Sequence, residues 1–530
     1  MSTSVDARRS APPTSTTSAT SAATAATAAT APRGLLPVIL TATFMTALDV
    51  FVVNVAVPSL QADLGAGPAA VQWVMAGFSL ALAAGLVTAG RLGDRYGRRR
   101  VFALGLALFT LASAACGLAP TAGALVGSRV AQGLAAALMG PQVLAILRTA
   151  FSGAAQARAF ARYGLTMGVG AVFGQLIGGL LIRADLLGLG WRSCFLINLP
   201  IGLVALALVR RCLPESRAPQ RPGLDPVGVL LVTLGLTALV LPLIQGPGLD
   251  WPLWTGLCLT ASLVLLAAFA VHQHRTTGTA VRAAAAPRTT ATSAPTAPGT
   301  GAASALGTGT ASAPGTGTAP APAPAAPLVD TRLFRSRAFS AGLLAQLAFW
   351  LGQASFFLVL ALHLQLGRGL DALGAGLVFT AIGLGYLITS NTTHRVTARL
   401  GEPRTITVGG LLMAAGLGLL ALTAYGAADG SVWWLAPGLF VDGLGMGLVI
   451  APVTTVALAA VEPGLAGSAA GVVSTVQQVG GAVGVALIGL VYYGAGDATA
   501  AFGRSVTALA VLELVLVGLV RLLPRTTRRP

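Results

Sequence analysis

Residues 90–100 read Gly-Arg-Leu-Gly-Asp-Arg-Tyr-Gly-Arg-Arg-Arg. Five arginines, one aspartate and three glycines stand here between two uncharged apolar runs, about 71–90 and 101–118. Each run approaches the roughly 20 residues that a bilayer-spanning helix needs. The glycines permit a tight turn and the arginines keep it at an aqueous face. The stretch therefore reads as a short basic loop joining two membrane helices. Outward from it the same alternation continues along the chain. Apolar runs recur at about 36–57, 124–147, 161–182, 194–212, 227–245 and 253–271, and again at about 338–362, 372–391, 405–424, 433–457, 467–491 and 502–523. With the first two, that makes fourteen candidate helices.

Composition agrees. Of 530 residues 55% are apolar and only 9% charged, against about 25% charged in soluble domains. This excludes an ordinary soluble enzyme and a chain disordered throughout. The expected class is an all-α polytopic membrane protein. The net charge of +17 would suggest nucleic acid in a soluble protein, but here position matters more than sum. Every basic residue is Arg, and 28 of the 33 fall in the N-terminal tail, the C-terminal tail or alternate connections of a fourteen-span chain. The five others are Arg129, Arg183, Arg192, Arg368 and Arg504. By the positive-inside rule this partition puts both termini in the cytoplasm and removes the need for a nucleic-acid partner. The four cysteines lie apart, without CxxC spacing, and read as small apolar side chains. No metal ligand set, P-loop or catalytic triad is visible, and no cofactor is expected.

Residues 1–34 are Ala/Thr/Ser/Pro-rich and 272–337 Ala/Pro/Thr/Gly-rich, and they read as a disordered cytoplasmic tail and linker. The chain then divides into a six-helix half at 35–212, two inserted helices at 213–271, a six-helix half at 338–523 and a short cytoplasmic tail at 524–530. Residues 398–404 align loosely with 94–100, as a worn internal repeat would.

The ordered spacing at 90–100 resembles the signature loop of the major facilitator superfamily. Leu48–Pro58, with Asp49, Asn54 and Pro58, is similar to the helix-1 signature of its fourteen-helix drug:proton antiporters. Arg129-Val-Ala-Gln-Gly133 resembles the family's R-x-x-Q-G motif, and Gly170–Gly179 resembles the antiporter motif G-x-x-x-G-P-x-x-G-G. Trp191-Arg192 and Asn198–Gly202 look like the opening of helix 6, and Gly467–Gly489 like the penultimate helix of this branch. The resemblance implies two six-helix halves rocking about a midplane cavity, with two inserted helices. It implies export of lipophilic or amphipathic drugs across the plasma membrane in exchange for protons. It also implies a gating role for Gly90, Gly93, Asp94, Arg95, Gly97 and Arg98, and helix packing by Gly170, Gly174, Gly178 and Gly179. One departure stands out: Gln175 occupies the antiporter motif's Pro, so the Pro-dependent kink is lost. A proton-coupled or uncoupled metabolite transporter is the alternative, and a transport-dead sensor or scaffold a third.

Charge inside the bilayer is costly, so ionisable groups there mark function. Asp49 and Arg129 are candidates for proton coupling, and Asp442 for a second titrating site. Asp49 could instead be fixed in a salt bridge or hydrogen-bond network, and Asp442 could instead contact cationic substrates. Glu513 fits packing better than transport. Asn54, Gln132, Gln346, Gln353 and Gln477, with Gln478, are candidate polar contacts of an otherwise apolar cavity, though each Gln taken singly reads first as helix–helix glue. The expected partners are small lipophilic substrates, protons and lipid, and the expected state is a monomer.

Overall fold

The computed structural model describes residues 34–217, 223–285, 327–426, 430–459, 461–462 and 465–523. The expected tails at 1–33 and 524–530, and linker residues 286–326, lie outside these. Among the described residues fourteen helices are long and apolar enough to cross a membrane. They are α1 (Leu35–Leu64), α2 (Pro68–Tyr96), α3 (Arg98–Gly117), α4 (Ala122–Ala150), α5 (Gly153–Ala184), α6 (Gly190–Cys212), α7 (Pro226–Gln245) and α8 (Leu253–Ala285). After the linker come α9 (Arg337–Leu362), α10 (Ala372–Leu400), α11 (Glu402–Gly426), α12 (Ala436–Ala459), α13 (Ala466–Tyr493) and α14 (Ala498–Val520). Short polar side chains start several of them. Thr121 caps α4, Ser336 caps α9, and Asp371 and Asp497 cap α10 and α14, each accepting from a free first-turn N–H.

Neighbour relations show the internal repeat. In the first half α1 packs on α5, α2 on α4, α3 on α4, and α6 on both α1 and α3. In the second half α9 packs on α13, α10 on α12, α11 on α12, and α14 on both α9 and α11. This is the same scheme shifted by eight helices. The halves meet through α2 with α13 and through α5 with α10, again a symmetric pair. The inserted helices pack on each other, and α7 also lies against α2 and α13. The most apolar stretch of α9 is 78% buried and that of α8 only 11%, so α9 is a central helix and α8 a peripheral one.

Two expectations need correction. The stretch 90–100 is not a loop: α2 runs through Tyr96, α3 starts at Arg98, and only Gly97 lies between them. Gly97 turns the chain with φ +111°, a conformation open to glycine and strained for other residues. The linker also begins later than 272, because α8 continues as helix to Ala285. Its far end is ordered too. Residues Thr331–Arg335 form a 3₁₀ turn, and the backbone N–H groups of Val329 and Thr331 donate to Gln273 Oε1 (3.0 Å) and Thr277 Oγ1 (3.3 Å) on α8.

Candidate functional site

Asp49 sits midway along α1 and is fully buried. An ionised carboxylate there requires partners, and four other helices supply the surrounding groups. Arg129 on α4 donates from Nη1 to Asp49 Oδ2 at 2.5 Å. Gln132, one turn on, donates from Nε2 to Asp49 Oδ1 at 2.7 Å and to Ser113 Oγ of α3 at 2.8 Å. Asn198 on α6 donates to the same Oδ1 at 3.0 Å. Arg129 is 1% exposed. It also donates to Gln132 Oε1 (2.6 Å) and to the Val74 carbonyl of α2 (3.1 Å), and its guanidinium lies 4.2 Å from the centre of the Phe78 ring. The spacing of Arg129-x-x-Gln132-Gly133 now has a local reason. Positions i and i+3 share a face of α4, which aims both donors at Asp49. Gly133 lets α2 approach: a Cβ there would lie 2.3 Å from the Phe78 carbonyl oxygen.

Asp442 does not join this network. It lies in the other half, on α12, fully buried, and neither carboxylate oxygen has a hydrogen-bond partner among the described residues. Since α12 stands where α4 stands in the repeat, Asp442 occupies nearly the helical position of Arg129. Glu513 on α14 is 1% exposed, with Oε2 likewise unpartnered, and it faces Gly352 of α9.

The other candidates separate. Asn54 donates to its own helix, to the Phe51 carbonyl at 3.2 Å. Gln346 joins α9 to α12 and α13 by donating to Thr454 Oγ1 (2.6 Å) and accepting from Gln477 (3.2 Å) and Trp350 (3.0 Å). Gln353 is 3% exposed, its Oε1 without a partner among the described residues. On α5, a Cβ at Gly170, Gly174 or Gly178 would come within 3 Å of α1 side chains (Ala47, Phe51 and Val52), and one at Gly179 would meet the Ala372 carbonyl of α10. Gln175 is buried at the same junction, its Nε2 without a partner among the described residues.

At the Gly90–Arg100 end, Arg98 Nη2 reaches Asp94 at 2.9 Å across the Gly97 turn. Arg95 lies over the Tyr96 ring. Gly90 and Gly93 face α4, where a Cβ on Gly93 would strike the Gln142 amide. Arg91 donates to the carbonyls of Gly223 (2.9 Å) and Pro327. Glu215, just after α6, accepts the Arg99 backbone N–H at 3.1 Å, while the Ser216 carbonyl accepts that of Arg98 at 2.9 Å. Sequence reasoning missed Glu215, Ser113 and the part played by Asn198. The signal for Glu215 was an acid close to the end of α6 in a connection that carries two arginines; the two uncharged groups gave none. At the opposite end, Gln365 Nε2 of the second half donates to the Val55 carbonyl of α1 at 3.0 Å, and Arg183 reaches Asp371 at 3.4 Å.

Comparison with known proteins gives a consistent picture. The chain is 37% identical over 460 residues to a probable actinorhodin transporter of Streptomyces coelicolor, covering 87% of this chain and 72% of that protein. It is 35% identical to a puromycin resistance protein of Streptomyces alboniger (87% and 82% covered) and 32% identical to a cephamycin export protein of Amycolatopsis lactamdurans (92% of each). Among solved structures, an auto-inhibited peptide transporter of the POT family superposes with a TM-score of 0.64 at 17% identity (94% and 99% covered). The xylose transporter XylE from E. coli superposes with 0.57 at 13% (91% and 97%). These two speak for the fold alone. Residues 39–485 match the family description Major Facilitator Superfamily, and this multi-pass membrane protein, a transporter rather than an enzyme, belongs to that superfamily.

Proposed function

We propose that the protein exports lipophilic or amphipathic antibiotic-like molecules across the plasma membrane in exchange for protons, by alternating access. The observation that carries this reading is the buried Asp49–Arg129 pair with its Gln132 and Asn198 donors. It is a carboxylate at mid-membrane whose neutralisation would release a guanidinium held by charge. Protonation of Asp49 removes the attraction to Arg129, and the two then have reason to part. That is a way for a proton to bias the packing of α1 against α4. The export direction draws on relatives named for transport of, or resistance to, actinorhodin, puromycin and cephamycin. Asp442 is the proposed second proton site, in the half without the Arg. Gln346, Gln353 and Gln477 on central helices are proposed substrate contacts, and Asn54 and Gln132 are assigned to the walls of the first half. The 90–100 segment, locked by Asp94–Arg98 and by Glu215, is the proposed cytoplasmic gate, with the termini on the same side and a monomer as the working unit. Gln175 favours one second reading, an uncoupled facilitator of a metabolite.

The test is a susceptibility panel on cells expressing the protein, with puromycin included, beside proteoliposomes carrying an imposed pH gradient. Drug-dependent proton movement that vanishes in Asp49→Asn is the expected result. An Asp49→Asn protein with full proton-driven efflux overturns the assignment of that carboxylate. Substrate flux without proton movement selects the facilitator reading.

A further inference from the structure

Between the ends of α3 and α6, beside the Gly97 turn, lies a cavity of about 480 Å³ lined by Arg99, Arg100, Ala103, Val209 and Arg210. Three arginines thus line one hollow, and Arg99 Nη1 also donates to the Leu213 carbonyl at 3.4 Å. The neighbouring acid is Glu215, whose Oε2 stands 3.7 Å from Arg99 and 3.6 Å from Arg100, beyond hydrogen-bond range. One carboxylate against three cations leaves an excess of two positive charges. The Arg100 side chain is 66% exposed, so its donors are open to an incoming group. The wall is apolar where the helices enter the membrane, at Ala103 and Val209. Directly beyond, the same two helices turn Leu104 and Leu108, and Leu203, outward. A cationic head pocket therefore runs into an apolar strip.

We propose that this hollow binds the phosphate headgroup of an anionic phospholipid, with an acyl chain lying along the α3–α6 strip. Guanidinium forks match phosphate oxygens in geometry and charge, and basic pockets between membrane helices take anionic headgroups. A soluble phosphate would satisfy the arginines but leave the leucines without a counterpart. The bound lipid would tie the first turn of α3 to the last turn of α6, the two segments that Glu215 already joins. Lipid composition would then act on the Gly90–Arg100 end. This holds whatever the transported molecule is.

The experiment is native mass spectrometry of the purified full chain in detergent, titrated with dioleoyl-phosphatidylglycerol or dioleoyl-phosphatidylcholine. Preferential retention of phosphatidylglycerol is expected. The Arg100→Gln/Arg210→Gln variant should weaken it by on the order of thirtyfold. The control Arg404→Gln/Arg521→Gln, which loses the same charge elsewhere, should retain it. If the double variant does not purify, Arg210→Gln alone, at an exposed position, should still weaken retention severalfold. Equal retention of the two lipids, equal loss in the control, or displacement of phosphatidylglycerol by millimolar inorganic phosphate alone overturns the proposal.

Discussion

A buried guanidinium needs a carboxylate beside it, so the burial of Arg129 at 1% exposure depends on Asp49. Breaking such a pair from one side leaves a charge without compensation. We expect Arg129→Leu to lower stability by about 3–5 kcal/mol, read as the shift in thermal unfolding of detergent-purified protein. Asp49→Leu/Arg129→Leu should recover part of that loss, because removing both charges removes the penalty, yet should abolish proton-driven transport. A double variant no more stable than the single one would mean that packing, not charge, holds the site. Asp49 and Arg129 were legible in the sequence because a charge inside an apolar run has no ordinary explanation. Ser113 and Asn198 were not, since single hydroxyls and amides are common in membrane helices. Asn198 reaches Asp49 across 149 positions, and Ser113 joins them through Gln132 and Asn198.

Glycine sets the distance between elements here. Gly133→Val should force α2 and α4 apart at Phe78, costing about 1–3 kcal/mol as an overpacked contact does. Thermal unfolding measures it, and an unchanged midpoint would show that the helices absorb the added volume. A second element-level contact lies at the start of α7. Asp225 accepts from the Gly228 N–H (2.9 Å), from Gln273 Nε2 (2.7 Å) and from His272 Nε2 (2.9 Å) on α8. Burial alone would raise its carboxyl, but these donors outweigh it and hold the group below the ordinary 3.8. A depressed carboxyl stabilises the fold at pH above its unfolded value, and that contribution fades as pH falls through the lowered one. Acid unfolding followed by helical circular dichroism should therefore begin at higher pH in Asp225→Asn, where the contribution is missing throughout. Coincident acid limbs would show that the α7–α8 contact does not depend on this charge. The same helices explain a boundary that composition misplaced. Residues 272–285 lack an apolar run yet stay helical, because α8 carries Gln273 and Thr277 as partners for the returning chain at 329 and 331.

At the scale of the whole molecule, the proposed orientation rests on where the arginines stand. In a background with the four native cysteines replaced by serine, Leu187→Cys, at a 96% exposed position between α5 and α6, should react with a membrane-impermeant maleimide in intact cells. Tyr96→Cys, at the Gly90–Arg100 end, should react only after permeabilisation. The reverse pattern would invert the orientation and move the proposed gate to the outer face. The sequence by itself determined how many helices there are and roughly where each begins. In lipid every backbone group must be satisfied within its own helix, so a span announces itself locally by length and apolarity. Only the tertiary structure decided which polar groups meet. That Asp49 is paired while Asp442 has no partner among the described residues, and that Gly90–Arg100 is two helix ends hinged at Gly97 instead of a loop, depends on the rotation and depth of helices distant in the chain. Close glycine contacts set those positions, and no local pattern encodes them.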